Sequence, residues 1–133
     1  MKVNYEKNLI ALRYWLQGRK YYKALEALDL GLSVHTGLRK DGKTREFEHM
    51  VVQALYVKTV IDNLIYPEET IIVTLLHDSV EDYDLSYDFL LKKFGTLSTD
   101  AIFKMSKKIK GIKKSEDHYF EEMSSCPICS FAN

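Results

Sequence analysis

Residues 67–82 read PEETIIVTLLHDSVED, and the fold class turns on whether the middle of this stretch, TIIVTLL at 70–76, is a strand or a helix. The run is short and β-branched, which suits a buried strand. Against that, Pro67 sets φ for a first helical turn, and Glu68 and Glu69 complement the helix dipole there. HDSVED then continues the run with no turn residue between. The stretch reads as a helix carried on through its polar end.

The flanking sequence has the same period. Leu9, Ile10, Leu12, Trp15 and Leu16 predict a first helix of roughly three turns. Tyr22, Leu25, Leu28, Leu32 and Val34 predict a second, ending near His35-Thr36-Gly37. Residues 37–47, GLRKDGKTREF, are charged and aperiodic and read as a loop. A third helix is expected from His49 to Asn63, with Val51, Val52, Leu55, Val57 and Val60 mostly inward. Further helices are expected over Tyr87–Phe94, stopped by Gly95, over Ser98 to about Lys108, and over about Ser115 to Met123. Ser125-Cys126-Pro127 has the form of another helix start. Tyr14, Trp15, Tyr21 and Tyr22 are simplest as core, Tyr119 and Phe120 as core or pocket wall. The expectation is all-α, one domain over residues 1–133, with no sheet.

Composition narrows the function classes. In 133 residues, 46% are apolar and 29% charged, with 19 basic and 19 acidic side chains. That balance argues against nucleic-acid or membrane binding by bulk charge while allowing local patches. One is the lysine-rich run KMSKKIKGIKK at 104–114, read as a solvated helix face in preference to a polyphosphate site. No stretch resembles a secretory signal or a membrane span. Cys126 and Cys129 are too close together to frame a disulfide scaffold, which suits a reducing, cytoplasmic setting. Their spacing resembles half a zinc knuckle, but with no second pair a structural role is the simpler reading.

The chemistry concentrates in His77, Asp78, Ser79, Val80, Glu81 and Asp82. On one continuous helix, His77 stands a turn from Glu81 and Asp78 a turn from Asp82. Three carboxylates and an imidazole at the end of a buried element are costly to desolvate unless a cation or protons compensate. A histidine nitrogen beside an aspartate oxygen suits a manganese- or zinc-like ion. His49, at the start of the third helix, supplies a third candidate ligand. Taken singly, each has a plainer reading, as a solvated helix end or a surface histidine.

In combination these residues resemble a known family. His35-Thr36-Gly37-Leu38-Arg39-Lys40-Asp41-Gly42, then His49, then Leu75-Leu76-His77-Asp78-Ser79-Val80-Glu81-Asp82, then Phe94-Gly95 is similar to the HD-domain metal-dependent phosphohydrolases. Within them it is closest to the alarmone-hydrolase branch of RelA/SpoT homologues and small alarmone hydrolases. The resemblance spans about residues 20–133 and implies an all-α HD bundle. It implies His49, His77 and Asp78 as metal ligands, Glu81 and Asp82 as the catalytic acidic pair, and Arg39 and Lys40 as nucleotide-binding residues. It also implies manganese as cofactor and removal of the 3′-pyrophosphate from guanosine tetra- or pentaphosphate. His35 matches the pattern without being a ligand and reads as structural.

Two departures qualify the match. The family approaches its first histidine through G-x-P-Y-x-x-H, whereas residues 42–49 read GKTREFEH, which bears on base recognition. The family's fourth ligand, the aspartate of a late D-R-x-x-N, has no counterpart before Asn133, so the domain is expected to be C-terminally incomplete relative to the family. The expected partner is a small phosphorylated nucleotide, with self-association left open. The alternatives are the same chemistry on another nucleotide, or a degenerate HD module that binds nucleotide or a protein partner without turnover.

Overall fold

A computed structural model describes residues 4–37, 46–83, 85–106, 108–109, 112–124, 126 and 128–129, apart from the side chains of residues 82, 108, 109 and 120. Arg39 and Lys40, and the helix start expected at Ser125-Cys126-Pro127, fall wholly or partly outside these residues. The elements are α1 (Tyr5–Gly18), α2 (Tyr22–Val34), α3 (Glu48–Thr59), α4 (Pro67–Leu76), α5 (Ser79–Tyr83), α6 (Tyr87–Met105), β1 (Lys108–Ile109), β2 (Ile112–Lys113) and α7 (Glu116–Ser124). A 3-10 turn at Ile61–Asn63 follows α3. The architecture is all-α, as expected.

The disputed run is α4, and it is helical for a reason beyond its first turn. All seven residues Thr70–Leu76 are buried, and α4 packs against α2, α3 and α6. A segment enclosed on all sides needs its backbone groups paired, and a helix does so internally. The two threonines fit because their hydroxyls donate to carbonyls one turn back, Thr70 to Tyr66 at 2.7 Å and Thr74 to Thr70 at 2.8 Å. Burying each of Ile71, Ile72, Leu75 and Leu76 stabilises the fold by about 1.5–3 kcal/mol. The first turn of α4 also serves α2. Tyr21 offers α2 no side-chain cap, and the Ala24 amide donates instead to Glu68 Oε2 at 3.1 Å.

Several expectations are corrected. The α-helix carrying His49 ends at Thr59, with a 3-10 turn covering Ile61–Asn63. HDSVED does not continue α4: the helix ends at Leu76, His77 caps it, and α5 starts at Ser79. The His77 carbonyl accepts from Ser106 Oγ at 3.4 Å, and tethers on Ser79 and Tyr83 hold α5 separately. The one-turn pairings of His77 with Glu81 and Asp78 with Asp82 are therefore not imposed by helix geometry. Residues 108–109 and 112–113 form a two-residue antiparallel ladder, Lys108 opposite Lys113 and Ile109 opposite Ile112, in place of a helix end. Tyr14 and Tyr22 are 71% and 61% exposed, and Val52 also faces outward. The sulfurs of Cys126 and Cys129 pair with each other across a sequence separation of three, stapling one turn and not the fold.

Two glycines separate steric from conformational constraint. Gly31 lies in α2 against the buried ring of Phe47, and a Cβ there would overlap that ring. Gly95 has open space around it but breaks α6 at φ 83°, ψ 173°, so the chain turns where the sequence expected a stop. Gly31→Ala gains about 0.5–1 kcal/mol of helix propensity and loses about 1–3 kcal/mol to overpacking. Gly95→Ala costs about 1–3 kcal/mol through backbone conformation alone. Urea unfolding is expected to show both variants destabilised. A stabilised Gly31→Ala would mean that Phe47 yields freely.

Candidate functional site

The C-terminal end of α4 delivers His77 to an edge of the core. The residue is buried, and its backbone N–H still closes the helix on Val73 O at 2.9 Å. Its ring Nδ1 lies 3.0 Å from the Thr74 carbonyl oxygen. A carbonyl only accepts, so Nδ1 carries the proton. Nε2 then points at Asp78 Oδ1, 3.2 Å away, on a carboxylate that is 33% exposed. In a neutral ring this sets a nitrogen lone pair against a carboxylate oxygen, which is unfavourable unless a proton or a cation lies between them.

That arrangement fits a divalent ion in two respects. The backbone bond to Nδ1 is the kind of outer contact that fixes tautomer and ring direction in metal-binding histidines. Ligands roughly 2.1 Å from one ion, in neighbouring octahedral positions, stand roughly 3 Å apart, close to the separation of this pair. The third expected ligand is placed differently. His49 sits in the first turn of α3 and is exposed, on the flank that also carries exposed Val52 and Tyr56, while Met50, Val51, Ala54 and Val57 turn to the core. Among the described residues, no three histidine, cysteine, aspartate or glutamate side chains gather into a group able to hold an ion. His77 and Asp78 are together, and His49 does not join them. Glu81 lies half-buried within α5, and Asp82 follows it there.

Beside this pair lies a polar cluster whose members His35 and Ser79 were named from sequence, His35 as structural, but not as partners. His35 caps the end of α2 with its ring enclosed. Its Nδ1 lies 2.8 Å from Glu46 Oε1 and its Nε2 3.0 Å from Ser79 Oγ. Tyr83 donates its hydroxyl to the same Glu46 oxygen at 2.5 Å. Phe47 stacks on the imidazole at 5.6 Å between ring centres, and Tyr83 meets it edge-on at 4.7 Å. Desolvation pushes the Glu46 carboxyl upward, but the bonds from Tyr83 and His35 outweigh it and hold the group below its ordinary value. The only available signal was the pattern H-x-G ahead of a charged loop, and it names neither Glu46 nor Tyr83 as partners.

The lysine-rich ladder also belongs to this region, because β1 packs against α5. Among the described residues, no helix is long and apolar enough to cross a membrane. Set against family models, curated proteins and solved structures, the chain matches none of them.

The depressed Glu46 value has a defined sign. A carboxylate whose folded value lies below its unfolded value contributes stability above the unfolded value, and loses it as pH falls through the folded one. Glu46→Gln is expected to lower stability by roughly 1–2 kcal/mol near neutral pH. The gap from the unaltered protein should close as pH drops below the ordinary value of 4.5. Urea unfolding at a series of pH values checks this, and a gap that persists in acid would contradict it.

Proposed function

We propose that the protein is an HD-type metal-dependent phosphohydrolase acting on a phosphorylated nucleotide, with guanosine tetra- or pentaphosphate the favoured substrate and manganese the favoured ion. The observation that carries the reading is the His77–Asp78 pair. Its imidazole nitrogen and carboxylate oxygen face each other at 3.2 Å, with the tautomer set by the Thr74 carbonyl. The motif resemblance supplies the substrate, which rests on analogy at the level of family.

In this reading His77 and Asp78 hold the ion, and His49, on the outer flank of α3, is not among its ligands. A divalent ion held there would lower the pKa of a bound water and screen phosphate charge. Glu81 and Asp82, on α5, would orient the water that attacks phosphorus, take its proton and return it to the 3′ oxygen as the bond between that oxygen and phosphorus breaks and pyrophosphate leaves. Arg39 and Lys40 pair with phosphate oxygens. The ladder that pairs Lys108 with Lys113 packs through β1 against α5, a favourable setting for a polyanion. A second reading, a nucleotide-binding module without turnover, is favoured by the exposed position of His49 on the outer flank of α3.

Manganese titration followed by electron paramagnetic resonance, with a pyrophosphate-release assay on guanosine tetraphosphate, tests both. His77→Ala and Asp78→Ala should lose manganese binding. Glu81→Gln should keep it and slow release by about 10²–10⁴-fold. Manganese affinity unchanged in His77→Ala would end the metal-site reading. Nucleotide binding without pyrophosphate release would select the second reading.

A further inference from the structure

We propose that His35 is a positioning residue, the centre of a hydrogen-bonded clamp that sets α5 relative to the segment entering α3 and thereby aims Glu81 and Asp82. The clamp is read from geometry alone. That it serves a hydrolytic site rests on the function proposed above.

α5 has five residues, too few to hold a helix by its own hydrogen bonds. Its direction must come from outside, and it is tied at both ends. Ser79, its first residue, meets His35 Nε2, and Tyr83, its last, donates to Glu46 Oε1. Glu46 and His35 are themselves joined through Nδ1. Because the carboxylate only accepts, Nδ1 is the donor in that bond, and in the neutral ring Nε2 accepts from the Ser79 hydroxyl. Every polar atom of the imidazole is thus assigned, and Phe47 and Tyr83 fix the ring plane. Glu81 and Asp82 lie between the tethers.

The same links reach both candidate ligand segments. Ser79 follows Asp78 directly, and Glu46 stands three residues before His49. The order hydroxyl, imidazole, carboxylate is that of a nucleophilic triad, yet Ser79 is 0% exposed and the His35 side chain is equally enclosed. No substrate reaches that hydroxyl, so the arrangement orients and does not attack.

The test removes one hydroxyl at a time from the full chain: Ser79→Ala, Tyr83→Phe, both together, and Ser79→Thr as the variant that keeps a hydroxyl. Backbone NMR order parameters of the metal-free protein give the first readout. Amides of α5 should sit near about 0.85 in the unaltered protein and fall below about 0.6 in the double variant. Those of α4 and α6 should hold, and Ser79→Thr should stay rigid. An α5 as rigid in the double variant as before, or an equal loosening of every helix, overturns the clamp.

The second readout is manganese-dependent pyrophosphate release, where the double variant should lose about 10- to 100-fold in kcat at unchanged manganese affinity. A loosened α5 with unchanged kcat overturns the positioning role. If the unaltered protein releases no pyrophosphate, the proposed function fails, and with it the role assigned to Glu81 and Asp82. The order parameters then still decide the clamp.

Discussion

Everything in this structure is arranged around the burial of Thr70–Leu76 in α4. Seven consecutive buried residues in a helix need neighbours on every side, and α2, α3 and α6 supply them. The requirement fixes its conformation as well, because an enclosed backbone has to pair its own groups. Thr70 and Thr74 are tolerated in this apolar interior because each hydroxyl donates to a carbonyl one turn back. The end of so fixed an element is a rigid place from which to present a side chain, and His77 stands there.

Two histidines lie close to that end, and their surroundings give them opposite tasks. His77 uses Nδ1 on a backbone carbonyl and leaves Nε2 facing a partly exposed carboxylate. That ring is held so that one nitrogen faces a carboxylate oxygen. His35 has both nitrogens engaged, its ring stacked on Phe47 and met edge-on by Tyr83, and its side chain sealed from solvent. That ring is a joint. The difference lies in what faces the second nitrogen: an acceptor that calls for a cation or proton, or a hydroxyl that can donate.

Much of the fold was legible in local pattern. The apolar spacing of Leu12, Leu16, Leu28, Val51 and Val57 marked residues that are buried, and Pro67 with Glu68 and Glu69 marked a true helix start. Gly95 announced a break, since only glycine adopts φ 83°, ψ 173° without strain. Periodicity failed where a side chain's fate depended on what covered it. Tyr14 and Tyr22 have core chemistry but are left largely exposed among the described residues. The run 104–114 contains a ladder because the chain leaves α6 at Met105 and packs β1 against α5, a contact that no window of sequence contains.

For the candidate site, the sequence by itself determined which groups are available: two adjacent residues, His77 and Asp78, with an acidic pair following at 81 and 82. Adjacency brings His77 and Asp78 together with no help from the fold. The tertiary structure alone decided that α4 ends before this motif, that His49 lies on an outer flank, and that Ser79 and Tyr83 are bound to His35 and Glu46. The physical reason is distance along the chain. The bond from His35 to Glu46 spans 11 residues and that to Ser79 spans 44, so neither follows from helical period or local propensity. Contacts of that length depend on the packing of α2 and α3 against α4, which brings the three segments together.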